Sequence, residues 1–230
     1  MKKFLKRIIF TIIFVAAIIA GVIIGEGYNM YKAAIEKTPI KEVVSSIQNR
    51  EDFVNIDELP KDYVNAVIAV EDRRFYKHNG IDFISITRAI ITDIKEMALV
   101  EGGSTITQQV AKNNLFTQEK KATRKVAEIF AAFDLEEICT KDEIFELYVN
   151  TSYFGDGYYC VKDAANGYFE KEPKDMDLYE CTLLAGIPNA PSVYSPTKNP
   201  ELSKQRQAQV IDKMIMNGYM TEEQAKKMGF

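Results

Sequence analysis

The chain has 230 residues, 47% hydrophobic and 27% charged, enough for one good-sized domain with a buried core and unlike a disordered composition. A formal charge of −4, with no long basic stripe beyond the N-terminus, argues against a dedicated nucleic-acid binder. Cys139, Cys160 and Cys181 show no C-x-x-C spacing and only one histidine is present, which argues against zinc and leaves scattered buried thiols or one disulfide.

Lys2, Lys3, Lys6 and Arg7 precede an uncharged apolar run from Ile8 to Ile24. The run is near the lower limit for crossing a bilayer, roughly 17–25 residues, and longer than the core of most signal peptides. No small-x-small cleavage site follows it; Glu26 and Tyr28 come next. The reading is an uncleaved signal-anchor over 8–25, with 1–7 in the cytoplasm and everything after about Gly25 outside. Residues 26–50 then form a linker, a mixture of short helix and extended chain, and 51–230 form the domain.

Within the domain, Asp57-Glu58-Leu59-Pro60 reads as a helix start, and Val64, Ala66, Val67 and Val70 carry a helix to Glu71. Ile81 to Val100 is a second amphipathic helix, with Ile84, Ile86, Ala89, Ile90 and Ile94 on one face. A helix starts near Thr105. The clearest helix is Ala122 to Cys139, where Val126, Ile129, Phe130, Phe133 and Leu135 form an apolar band. Lys141 to Val149 and Leu178 to Gly186 are helical, the latter closed before Pro188. Asn199 to Gly218 carries Leu202, Val210, Ile211 and Met214 at helical spacing, and Thr221 to Gln224 resembles a capping box. Strand signals are few and no repeat is visible, so the fold class is mainly α, in a single domain.

Three polar clusters stand out. Glu71 to Gly80 packs two carboxylates, two guanidinium groups, two aromatics and His78 into ten residues. Paired carboxylates fit either a solvated helix end or a proton-accepting site, and the flanking arginines favour an ionised carboxylate. Gly102-Gly103-Ser104-Thr105-Ile106-Thr107-Gln108-Gln109 lets backbone approach a ligand closely, or simply caps a helix. It lacks the spacing of a nucleotide-binding P-loop. Lys112 follows about two turns later as a point charge suited to phosphate. Arg124, Lys125 and Glu128 share a helix face, as a surface ladder or as part of a site.

These clusters, in this order, resemble the peptidoglycan glycosyltransferases, glycosyltransferase family 51. The resemblance spans about Asp57 to about Met214. It comprises E-D-x-x-F-x-x-H-x-G at Glu71 to Gly80, G-G-S-T-I-T-Q-Q at Gly102 to Gln109 and R-K-x-x-E at Arg124 to Glu128. It continues with E-L-Y-x-N-x-x-Y-F-G-x-G at Glu146 to Gly157 and L-A-G-I-P-x-A-P-S-x-Y-S-P at Leu184 to Pro196. The chain is similar to the monofunctional, membrane-anchored type, related to the N-terminal domain of class A penicillin-binding proteins. It departs from the family pattern at Cys160 and Glu170, where glycines are usual.

The resemblance implies a lysozyme-like helical large lobe and a smaller membrane-facing lobe, with a cleft between them. It implies polymerisation of lipid II into β-1,4-linked glycan strands at the outer membrane face. Glu71 would be the general base and Glu128 the second catalytic carboxylate, organising cations or a divalent ion (Mg or Mn) at the pyrophosphate. No cofactor is required on this reading. Lys112, Arg124 and Lys125 would hold the pyrophosphate, with Lys120 or Lys121 assisting. Ser104, Thr105, Gln108, Gln109 and Asn150 would bind substrate. His78 reads as structural. Implied partners are lipid II, the growing glycan strand, the membrane and cell-wall synthesis proteins. Met97-Ala98-Leu99-Val100 is read either as a membrane-dipping patch or as core. Two other functions compete: a glycan-cleaving hydrolase with a key glutamate, and a non-catalytic anchored scaffold.

Overall fold

The computed structural model of the chain describes residues 2–96, 102–117 and 121–230. Eleven α-helices build the described residues, with no strand among them. They are α1 (Lys2–Lys37), α2 (Ile40–Gln48), α3 (Lys61–Glu71), α4 (Phe83–Glu96), α5 (Ile106–Leu115), α6 (Ala122–Ile138), α7 (Lys141–Thr151), α8 (Val161–Phe169), α9 (Leu178–Gly186), α10 (Pro200–Met216) and α11 (Glu222–Lys227). The mainly helical expectation therefore holds. The Met97–Val100 patch and Lys120 lie outside the described residues.

The apolar run is part of α1, the one helix among the described residues that is long and apolar enough to cross a membrane. At 36 residues it measures about 54 Å, well beyond the span of a bilayer core. Its far end does not fray into the mixed segment expected for 26–50. Tyr31 of α1 and Ile40, Val43, Val44 and Ile47 of α2 are buried in the domain core. Apolar spacing in α2 makes a strongly one-sided helix, and tertiary packing supplies what nine residues cannot supply alone.

Helix starts follow local capping chemistry. Thr105, Thr140, Asp177 and Thr221 each accept from the backbone N–H three residues on, with a Glu or Gln reciprocating. Pro60 caps α3 from just outside and Pro200 is the first residue of α10, where the missing N–H costs nothing.

The central helix is α6, and its burial differs from the expected apolar band. Its deepest positions are Ala127, Glu128, Ala131, Ala132 and Leu135, while Phe133 is exposed. Small residues let α5 and α7 approach it closely; the bulky Val126 and Phe130 face α1 instead. In α10, likewise, Val210, Ile211 and Met214 are buried but Leu202 is exposed. α8 was not read from the sequence. Cys160 caps it in place of a hydroxyl or carboxylate residue, and Glu170 ends it in a left-handed conformation at φ 55°. Neither residue type is a usual signal for a helix end.

Candidate active site

Glu71 ends α3 and Asp72 caps it at φ −155°, ψ 76°, outside the helical region, so the two neighbouring carboxylates part company. Asp72 is buried and accepts from the backbone N–H of Ile106, at the start of α5, at 3.1 Å. It also lies 2.9 and 3.0 Å from His78 Nε2. A carboxylate there satisfies an orphan helix N–H and complements the helix dipole. Glu71 lines, together with Asp72, a cleft of about 860 Å³. Its Oε2 accepts from Gln109 Nε2 at 2.6 Å. Its Oε1 is buried without a hydrogen bond, with Arg206 Nη2 3.7 Å away.

Cations also line the cleft. Glu128 is 1% exposed, and its two oxygens are taken by Arg124 and by Lys125 Nζ, the latter at 2.8 Å. Lys125 also donates to Ser104 Oγ at 2.7 Å. Lys112, one helix over on α5, makes no hydrogen bond among the described residues, and burial pushes its ammonium below the ordinary lysine range while Glu128 opposes that shift. Arg73, Arg88, Lys112, Lys125, Arg206 and Lys213 all line the cleft. Of the lining carboxylates, Glu128 and Asp72 are paired as described, and Asp82 accepts from Arg74, Ser85 and the backbone of Ile84. Cations thus outnumber carboxylates along the cleft, and Glu71 has one oxygen without a hydrogen bond among the described residues.

The glycine-rich cluster divides its work. Thr105 and Gln108 line the cleft, yet their polar atoms close the capping box of α5, and Thr105 Oγ1 donates to the Gly80 carbonyl at 2.7 Å. Gly80 takes φ +77°, and a Cβ there would press on the Ala132 backbone of α6 at 3.3 Å. Both features bind the first cluster to α5 and α6. Ser104 and Gln109 hold Lys125 and Glu71 respectively.

Asn150 does not join this group. It is fully buried outside the cleft, donating to the carbonyls of Val54 and Glu146 and accepting from Val54 N–H, each at 2.9 Å. Its place in α7 turns it toward the 50–54 segment, so a direct substrate contact is corrected to a structural clamp. Arg206 was missed by sequence reasoning. It sits in a run of polar residues on α10 with no local mark, and only folding brings it beside Glu71 and over the Tyr194 ring.

The residues present do not make a donor set for Mg or Mn at the cleft. Hard divalent ions require free carboxylate oxygens, and three of the four lining carboxylates are already engaged. Asp52, Cys160 and Asp163 cluster elsewhere, but Arg50 holds Asp52, and burial pushes the Cys160 thiol up to about 12. All three cysteines are free. The departures at Cys160 and Glu170 lie outside the cleft lining.

Comparison with known proteins agrees with this architecture. The profile of the family described as Transglycosylase matches residues 36–215. Penicillin-binding protein 1F of Bacillus subtilis is 45% identical over 184 residues, covering 80% of this chain and 26% of that protein. A Cupriavidus necator protein bearing the name "Putative transglycosylase" is 40% identical over 186 residues, covering 81% of this chain and 80% of its own length. Penicillin-binding protein 1A of Neisseria flavescens is 44% identical over 177 residues, or 77% of this chain and 22% of that protein. The chain thus spans about a quarter of the length of the penicillin-binding relatives.

Proposed function

The chain belongs to the transglycosylase family, and on that premise we propose that it polymerises lipid II into peptidoglycan glycan strands. The observation that carries this reading is the cleft shared by Glu71, whose Oε1 has no hydrogen bond among the described residues, and the cations Lys112 and Lys125, with Arg124 joined to Lys125 through Glu128. Glu71 takes the proton of an acceptor GlcNAc 4-hydroxyl. That oxygen attacks C1 of the donor MurNAc as the bond from C1 to the pyrophosphate oxygen breaks. The new linkage is β-1,4 with inversion, and the electron pair leaves with undecaprenyl pyrophosphate.

A glycosidase must protonate a poor alkoxide leaving group, so it needs an acid beside its base or nucleophile. A pyrophosphate needs positive charge instead. One available carboxylate among several cations suits the transfer and disfavours hydrolysis of a finished glycan. Glu128, with both oxygens occupied, acts here as the organiser of the clamp. No step is routed through a metal. The basic flank of α1 argues for a domain outside the cytoplasm, where a membrane-bound lipid substrate would meet the cleft.

The test is gel separation of products from fluorescent lipid II incubated with the full-length protein. Glu71→Gln should lower polymerisation by about 10³-fold, the scale of general-base catalysis, without shifting thermal unfolding. Wild-type cleavage of preformed glycan with no polymerisation would favour the hydrolase instead.

A further inference from the structure

α6 carries the cationic clamp on one face, and its other side is docked on α1. At Gly27 the contact is so close that a Cβ would lie 2.5 Å from Val126 Cβ and 2.7 Å from the Thr123 carbonyl. Those two residues flank Arg124 and Lys125. Further along, Tyr28 and Tyr31 pack on the Phe130 ring at 5.1 and 5.6 Å, and Tyr31 donates to Asp134 at 2.5 Å. The contacts advance along both helices together, so the first turn of α6 is the part nearest the apolar run. A mid-helix glycine costs about 1 kcal/mol against alanine, which a flexible tether would have no reason to bear.

The helix is continuous from the apolar run into this contact. Gly27 lies three residues past Ile24, about 4.5 Å along the axis. A bilayer of about 30 Å hydrocarbon, or 40–45 Å with its headgroups, leaves roughly 5–8 Å of headgroup layer per side. The start of α6 therefore falls at headgroup depth when the run spans the core.

We infer that α1 is a depth gauge as well as an anchor: its docking at Gly27 holds the Arg124–Lys125–Glu128 clamp level with the lipid phosphates. This rests on the membrane-bound diphosphate substrate of the reading above. Gly27 and Tyr31 are positioning residues, since neither lines the cleft.

The chain has no tryptophan, so one introduced at the exposed Ala122, the first residue of α6, reports depth without background. In phosphatidylcholine vesicles brominated near the headgroup, Ala122→Trp should be strongly quenched in the full-length protein and less so once Gly27→Leu is added. Absent quenching, or quenching unchanged by Gly27→Leu, overturns the inference. Polymerisation should fall at least about tenfold in vesicles for Gly27→Leu, yet stay near wild type in detergent with a short-chain, water-soluble donor. An equal loss in both media would make the contact a matter of folding alone and also overturn it. Tyr31→Phe, which deletes one hydroxyl, repeats the test at smaller amplitude should Gly27→Leu not fold. A wild type that never polymerises would sink the proposed function, while the quenching pair would still decide the depth gauge.

Discussion

The two halves of α6 each carry a buried glutamate, and the partners of the two differ in kind. Glu128, in the first half, is held by two cations, one of them Lys125, which lines the cleft. Glu136, two turns on, accepts from Gly80 N–H at 2.9 Å, Thr107 Oγ1 at 2.6 Å and Lys141 Nζ at 2.7 Å. One carboxylate holds a cation that lines the cleft; the other ties the first and second clusters and α7 to a single post. Residue type is the same and both side chains are nearly closed to solvent, at 2% and 4% exposure, so the partners make the difference.

That contrast can be broken by removing the charge from each in turn. Glu128→Gln should cut polymerisation by about 10²–10³-fold, because Arg124 and Lys125 lose the group that aims them. Glu136→Gln should instead lower stability by about 2–3 kcal/mol in denaturant unfolding while leaving the rate per folded molecule close to wild type. Matching effects on rate from the two would erase the distinction.

The clamp's own charge sharpens the comparison through pH. Because burial holds the Lys112 ammonium below the ordinary lysine value of about 10.4, its charge and the rate should decline on the alkaline side before that pH is reached. Lys112→Arg, which stays cationic, should lose about tenfold or less at neutral pH and flatten that alkaline limb. An unchanged limb would assign it to another group. Stability runs the other way. The folded state binds this proton less tightly than the unfolded chain, so the burial costs stability at neutral pH and the cost is relieved as pH rises.

The smallest effect belongs to the scaffold alone. Glu170 is one of two non-glycine residues at positive φ among the described residues, and it closes α8. Glu170→Gly should raise stability by about 0.5–1 kcal/mol, read as a higher thermal midpoint, with polymerisation unaltered. A lower midpoint would mean the Glu170 side chain contributes more than its backbone conformation costs.

Much of the site was legible because its chemistry is local. Thr105 and Gln108 announce the start of α5 three residues apart, and Arg124 and Glu128 announce a shared face four apart. What escaped depends on long-range approach. Nothing in the run Ser203 to Gln209 marks Arg206, and nothing near Tyr28 shows that this stretch of α1 would be core rather than linker. Asn150 was expected to bind substrate because the family resemblance runs through it; its partner, Val54, is 96 residues away.

The one-dimensional order of residues was enough to establish a helical domain behind an apolar anchor, its capped helix starts and the three polar clusters, since periodicity and capping act within a few residues. Which member of Glu71-Asp72 is tied to a helix start and which keeps an oxygen without a hydrogen bond, which glutamate of α6 holds a cleft-lining cation and where the apolar helix docks were decided by helices meeting across the fold. The reason is physical: a carboxylate's role depends on which donors reach it, and donors from α5, α6, α7 and α10 acquire a common neighbourhood only when the chain is packed.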